Sequence, residues 1–265
     1  QSLASVEKCS NSVFFFSFFM LNLVFSTNNN NTQIELIFYF LMNTIVMKFG
    51  GTSVAGTAKL RNIADIVIKE VKNNKIIVVL SAMAGETNKL QSYLDDFASQ
   101  YSLESDLVLT SGEQVTIGLL SAELKNKGIK SIPLLGWQIP IITDDSHEKA
   151  KILHIDNKRI EKFFEKNDVI VLAGFQGISL DGEITSLGRG GSDTTAVAIA
   201  SSVGAERCDI YTDVDGVYTT DPNIDKNAKK IPKMSYEEML EMASTGSKVL
   251  HTRSVELAMK NNLTL

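Results

Sequence analysis

Cysteine, histidine and proline are scarce in this chain, and so is any excess of positive charge. Two cysteines, Cys9 and Cys208, in 265 residues cannot form a disulfide framework, so a reducing, cytoplasmic compartment is expected. Three histidines, His147, His154 and His251, stand without metal-ligand spacing, and neither a metal centre nor a histidine base is predicted. Basic residues number 26 and acidic ones 31, giving a net charge of −5. That balance argues against nucleic acid as the main partner. Four prolines against 17 glycines exclude a linker or a fibre. The apolar run Val13 to Phe25 falls short of the roughly 20 residues that span a bilayer, so no membrane partner is expected.

Charge is also missing locally. Residues 1–41 carry only Glu7, Lys8 and Glu35, with apolar runs on either side of Asn28 to Asn31. The segment lacks the basic start and small-residue cleavage site of a secretory signal. The pattern predicts a native start at Met42 or Met47, with residues 1–41 as upstream sequence. A hydrophobic targeting segment is the competing reading. Residues 42–265 form the expected functional domain.

Within that domain strands and helices alternate. Thr44 to Phe49, Ile76 to Leu80, Ser131 to Leu135, Asp168 to Ala173 and Cys208 to Thr212 read as strands, several of them apolar on both faces. Leu60, Ile63, Ala64, Val67, Ile68 and Val71 recur at helical spacing over residues 57–72. Leu90, Tyr93, Leu94 and Phe97 mark a second helix. One long helix is predicted from about Glu104 to Lys127, capped by Gly128. Further helices are predicted over Arg159 to Lys166 and Ser192 to Ser202. Another begins at the Ser235/Glu238 capping box, and a last one runs from about Lys248 to Lys260. Asp181-Gly182 marks a hairpin, and Leu263 to Leu265 looks like the start of another strand. The order predicts an α/β fold, a three-layer αβα sandwich with a mostly parallel sheet.

Ligands of such sheets bind beyond the carboxyl ends of the strands, where this chain places loops of small and polar residues. Lys48 to Ser53, Ser81 to Thr87, Gly174 to Gly177 and Thr212 to Gly216 each follow a strand, and Gly188 to Asp193 precedes a helix. Glycines let backbone N–H groups approach anions, and a helix start adds partial positive charge. No Walker sequence, dinucleotide fingerprint or protein-kinase triad is present. Taken singly, Gly50-Gly51 also reads as a turn, Lys48 as a solvated lysine, Glu113 as a helix-face residue and Cys208 as a buried thiol.

Taken in order, the loops resemble the aspartokinases of the amino-acid kinase superfamily. Six motifs carry the likeness across residues 44–265. They are Lys48-Phe-Gly-Gly-Thr-Ser53, Val79 to Asn88, Ser111-Gly-Glu-Gln-Val-Thr116, Gly188-Arg-Gly-Gly-Ser-Asp193, Tyr211 to Pro222 and Gly246-Ser-Lys-Val-Leu-His251. Gly136 to Asp144 looks like the bacterial branch. The resemblance implies the amino-acid kinase fold and the conversion of ATP and L-aspartate, with Mg²⁺, to ADP and 4-phospho-L-aspartate. This is the first step toward lysine, threonine, methionine and diaminopimelate.

It further implies Lys48 as the stabiliser of the transferring phosphoryl group and Asp193 as its orienting partner. Phe49, Gly50, Gly51, Thr212, Asp213, Tyr218 and Lys248 would hold the nucleotide. Arg189 would take the substrate α-carboxylate and Glu113 its α-ammonium, with Ser81, Thr87, Gly190, Gly191 and Ser192 around them. The family often has arginine where Asn223 stands, and proline where Thr252 stands. The small regulatory domains that usually follow and build a dimer have no counterpart in this sequence, so homo-oligomerisation is left open. Competing readings are another kinase of the superfamily, acting on glutamate, acetylglutamate, carbamate or UMP, and a non-catalytic remnant that only binds nucleotide and aspartate.

Overall fold

The computed structural model describes residues 42–97, 102–222, 224–245 and 249–265. The expectation for residues 1–41 lies outside them. Its main sheet is built from the β-branched runs that the pattern singles out. Strand β1 (Asn43–Phe49) pairs in parallel with β2 (Asn74–Leu80), from Asn43 opposite Asn74 to Phe49 opposite Leu80. On its other edge β1 pairs with β9 (Arg207–Tyr211), Phe49 meeting Tyr211. β6 (Val169–Ala173) joins β2, and β3 (Ser131–Leu134) closes the order β3-β6-β2-β1-β9, parallel throughout. Register therefore brings Phe49, Leu80, Ala173 and Tyr211 to one level at the carboxyl edge.

Alternation along β1 sorts its side chains between two helical layers. Ile45, Met47 and Phe49 share a buried cluster with Leu60, Ile63, Ala64 and Val67 of α1 (Thr57–Glu70). Ile117, Leu120 and Leu124 of α4 (Ser111–Asn126) belong to the same cluster. Val46 and Lys48 face the opposite layer, where α6 (Gly191–Val203) packs on β1, β2 and β9. α8 (Thr252–Asn261) lies against α6 and α7 (Tyr236–Ser244). This is the expected αβα sandwich. The Ser235/Glu238 capping box forms with both bonds present, and Gly128 takes a positive φ of 83° just past α4.

Two expectations are corrected, and two features go beyond what the pattern predicts. The long helix from Glu104 is two helices, α3 (Leu103–Leu109) and α4, broken at Thr110. There the Thr110 hydroxyl donates back to the Asp106 carbonyl at 2.7 Å, an alternative to the helical ladder that periodicity cannot register. In α2 (Glu86–Asp95) only Leu94 is buried, while Tyr93 and Phe97 stay exposed. Leu263 to Leu265 is not a strand, although Thr264 accepts one bond from Cys208 N–H of β9. A second sheet is present, in the order β5-β4-β7-β8, from β4 (Ile141–Thr143), β5 (Ile152–Ile155), β7 (Gln176–Ile178) and β8 (Ile184–Ser186). The β7–β8 hairpin turns at Asp181-Gly182 as expected, but strands of three or four residues are too short to show a period in sequence. α5 (Asn157–Phe164) connects the two sheets in the chain. Among the described residues no helix is long and apolar enough to cross a membrane.

Candidate active site at the carboxyl edge of the main sheet

The backbone at the strand ends prepares the site. Gly50 N–H donates to the Tyr211 carbonyl at 3.2 Å, Ser81 N–H to the Phe49 carbonyl at 3.3 Å, and Gly174 N–H to the Leu80 carbonyl at 2.9 Å. Three loops thus leave the sheet side by side. Gly51 is closely packed: a Cβ there would lie 2.9 Å from the Ala82 carbonyl oxygen. Between these loops and α6 lies a cleft of about 350 Å³.

Lys48, the residue on β1 whose parity aims it at α6, extends into this cleft. Its Nζ lies 2.6 Å from Asp193 Oδ1 in the first turn of α6, and Lys48 is 8% exposed. A lysine at a strand exit is usually solvated; here its charge is paired and largely withdrawn from water. Gly50 lies beside it, with room for a Cβ 3.5 Å from Nζ.

Glu113 enters from α4 and is buried. Its Oε1 accepts Ala82 N–H at 3.0 Å, while Oε2 is buried without a hydrogen-bond partner. Burial pushes its pKa up to about 7, and the backbone bond from Ala82 only partly opposes that. Ser81 and Thr87 line the same cleft.

The opposite wall is the turn Gly188 to Asp193. Gly188 and Gly190 both have φ of 71°, a left-handed conformation that explains two of its glycines. At Gly191 the constraint is space: a Cβ would come 2.7 Å from the Phe175 ring. The helix begins at Gly191, one residue before the Ser192 expected from the pattern. Arg189 is exposed at the mouth and forms no ion pair among the described residues. Ser192 completes this wall.

Of the expected nucleotide residues, Gly51 lines this cleft and Gly50 adjoins it, whereas Phe49, Thr212, Asp213 and Tyr218 do not line it. Phe49 is 1% exposed and stacks on Tyr211, ring centroids 4.4 Å apart. It lines a second cleft of about 340 Å³ with Thr212 and Asp213. Thr212 also lines a third, of about 830 Å³, at the exit of β9. Tyr218 lines none of the three; its hydroxyl donates to Asp215 Oδ1 at 2.9 Å, and Lys230 pairs with the other oxygen of Asp215 at 3.3 Å. Lys248 and Asn223 lie outside the described residues.

Phe175 is the member that the pattern missed. It lines the cleft with φ of 69°, uncommon for a bulky residue, and is held by Thr195 Oγ1, which accepts Phe175 N–H at 3.1 Å. The glycines around it signal a break in the strand; nothing local signals its conformation.

Strand ends, glycine turns and a paired lysine converge on one cleft beyond the carboxyl edge of a parallel sheet, the place where α/β enzymes bind their ligands. The family model described as the amino acid kinase family matches residues 43–265, and the chain belongs to that family. It is 49% identical over 219 residues to the aspartokinase of Geobacillus stearothermophilus, covering 82% of this chain and 54% of that protein. With the aspartokinase of Bacillus sp. (strain MGA3) it shares 50% identity over 230 residues, 84% of this chain and 55% of that protein. The chain spans about half the length of these curated relatives. Among solved structures, E. coli aspartokinase III in complex with aspartate and ADP superposes with TM-score 0.74 at 27% identity, covering 83% of this chain and 60% of that one. Aspartate kinase from Synechocystis gives 0.73 at 38% identity, covering 83% and 36%. Uridylate kinase from Archaeoglobus fulgidus, at 20% identity and TM-score 0.58 over 84% and 88%, shares the fold.

Proposed function

We propose that residues 43–265 phosphorylate the β-carboxylate of L-aspartate with ATP, giving ADP and 4-phospho-L-aspartate. One observation carries this reading: the Lys48–Asp193 pair shares a cleft with Arg189 and Glu113. A cation for a phosphoryl group thus stands beside a base and an acid suited to the two ends of an amino acid. The aspartokinase relatives and the aspartate and ADP of the E. coli structure support it.

The nucleophile is an anion at neutral pH, the aspartate side chain having a pKa of about 3.9. Its oxygen bonds to the γ-phosphorus as the bond from that phosphorus to the ADP oxygen breaks. No proton changes place, so no general base is required. The barrier is the approach of two anions, lowered by positioning and charge. Lys48 faces the charge on the transferring group, and Asp193 holds Nζ in place. The amides of Gly50 and Gly51 approach phosphate oxygens. Arg189 pairs its planar fork with the α-carboxylate, and Glu113 Oε2, which lacks a partner in the chain, accepts from the α-ammonium. Ser81, Thr87, Gly190, Gly191 and Ser192 complete the substrate wall.

Thr212, Asp213 and Tyr218 take the adenosine side, with Phe49 as the ring behind it and Lys248 on the phosphates. Asn223, uncharged where the family often has arginine, weakens the hold on the nucleotide phosphates. Mg²⁺ is assigned to the nucleotide phosphates, the hard oxygen ligands through which it is usually held in phosphoryl-transfer sites. The product feeds lysine, threonine, methionine and diaminopimelate synthesis in the cytoplasm.

A hydroxamate assay for acyl phosphate tests the reaction. With ATP and Mg²⁺ the signal is expected with L-aspartate and lost in Lys48→Ala. Turnover with glutamate or UMP in place of aspartate would overturn the assignment.

A further inference from the structure

Asp106 of α3 is fully buried in a chain region that the site itself does not use. Its carboxylate accepts the Ser186 hydroxyl at 2.5 Å, Glu148 N–H at 3.0 and 3.2 Å, and His147 Nδ1 at 2.8 Å. One side chain therefore ties three segments together: α3, the turn at 147–148 and the end of β8. Glu148 takes φ of 64° where it meets that carboxylate. Its carbonyl in turn lies under the cleft wall, since a Cβ on Gly188 would be 2.7 Å from Glu148 O.

A second clamp comes from α8. Arg253 donates through Nη1 to the Leu187 carbonyl at 2.9 Å and through Nη2 to the Ala150 carbonyl at 3.2 Å. Ala150 N–H donates to the Ser186 carbonyl at 2.9 Å. The His251 ring lies flush on Gly190, where a Cβ would come within 2.6 Å of it. The backbone from Ser186 to Gly190 is thus gripped at positions 186, 187, 188 and 190. Arg189 alone projects from it, exposed.

We propose that Asp106, Ser186 and Arg253 are positioning residues that set the aspartate affinity of the cleft by fixing the backbone that carries Arg189. The inference rests on the assignment of Arg189 to the α-carboxylate. Bidentate pairing of a guanidinium with a carboxylate is geometrically exacting, and a displacement of about 1 Å at such a clamp can cost on the order of 100-fold. Arg253 is suited to its place because a planar fork reaches two carbonyls on two segments at once, whereas lysine brings a single ammonium.

The test compares Arg253→Lys, Arg253→Ala and Ser186→Ala with the wild-type chain in steady-state kinetics. Asp106 itself is left intact, since emptying a fully buried carboxylate site could prevent folding. The KM for aspartate is expected to rise in the order wild type, Arg253→Lys, Arg253→Ala, by about tenfold or more at the end of the series, and similarly in Ser186→Ala. The KM for ATP should move less than about twofold. Unchanged aspartate KM in folded variants overturns the inference alone. So does a parallel rise in both KM values with a fall in melting temperature, since that marks general loosening. A wild-type chain without aspartate-dependent turnover overturns the assigned reaction and this inference with it.

Discussion

Lys48 Nζ lies 2.6 Å from Asp193 Oδ1, so the end of strand β1 is bonded to the first turn of the helix behind it. The two residues are 145 positions apart in the chain, yet each is where its own element must put it. Strand parity aims Lys48 away from the α1 and α4 layer, and the αL cap at Gly190 starts α6 early enough for Asp193 to fall in its first turn.

Lys48→Ala and Arg189→Ala should therefore fail in different ways. Removing Lys48 withdraws a charge needed most in the transition state, and kcat should fall by roughly 100-fold or more with little change in aspartate KM. Removing Arg189 should raise aspartate KM with a smaller effect on kcat. Steady-state kinetics in both substrates separates them; a Lys48 variant that lost affinity and kept turnover would contradict its role.

Glu113 makes the cleft sensitive to pH near neutrality. Its pKa is raised by burial to about 7, so the side chain is neutral below that pH. The raised value makes ionisation a cost to the fold, absent below the ordinary carboxylate pKa and complete above about 7. An ammonium beside Oε2 favours the charged form, so aspartate binding should release a proton and weaken as the pH falls below 7, by up to about tenfold per unit. Aspartate KM measured from pH 5.5 to 8 checks this. In Glu113→Gln the affinity should be lower and the slope flat.

Gly51→Ala tests the closeness of the loops. Its Cβ would press to 2.9 Å on the Ala82 carbonyl and 3.4 Å on Ala84 N, both backbone atoms that cannot swing aside. Strain of about 1–3 kcal/mol is expected from such overpacking. Because Ala82 N–H also holds Glu113, aspartate affinity should fall with stability. Thermal denaturation and aspartate KM should move together in this variant.

His147 contributes to stability in the acid range. Burial opposes its charge, but Asp106 on one side and Glu183 on the other outweigh that and raise its pKa. A raised histidine pKa stabilises the fold fully below the ordinary value near 6.5, and the contribution is lost as the pH rises through the folded value. The melting-temperature gap between wild type and His147→Gln should be widest near pH 5.5 and shrink toward pH 8.5. A gap that widened with pH would assign His147 no charged role.

What the sequence by itself determined is local or repeated. Ile45 to Phe49, Ile76 to Leu80 and Val169 to Ala173 read as strands because their side chains, Lys48 apart, are apolar, the mark of a sheet covered on both faces. The glycines at 188 and 190 read as a special turn because three glycines in four residues cost too much otherwise, and the ordered motifs around Lys48, Glu113 and Arg189 pointed to one cleft. Tertiary structure decided what depends on distant partners. The break at Thr110 is a hydroxyl bond competing with a helix that is otherwise well patterned. The second sheet consists of strands too short to show a period. Phe175 keeps its φ only because Thr195 and Gly191 enclose it. Asp106 reads as an ordinary acidic residue of a helix until a serine 80 positions away and the 147–148 turn converge on it. Periodicity reports which face of an element is apolar; it carries no information about which remote donor meets a buried carboxylate, because that meeting is set by the packing of segments far apart in the chain.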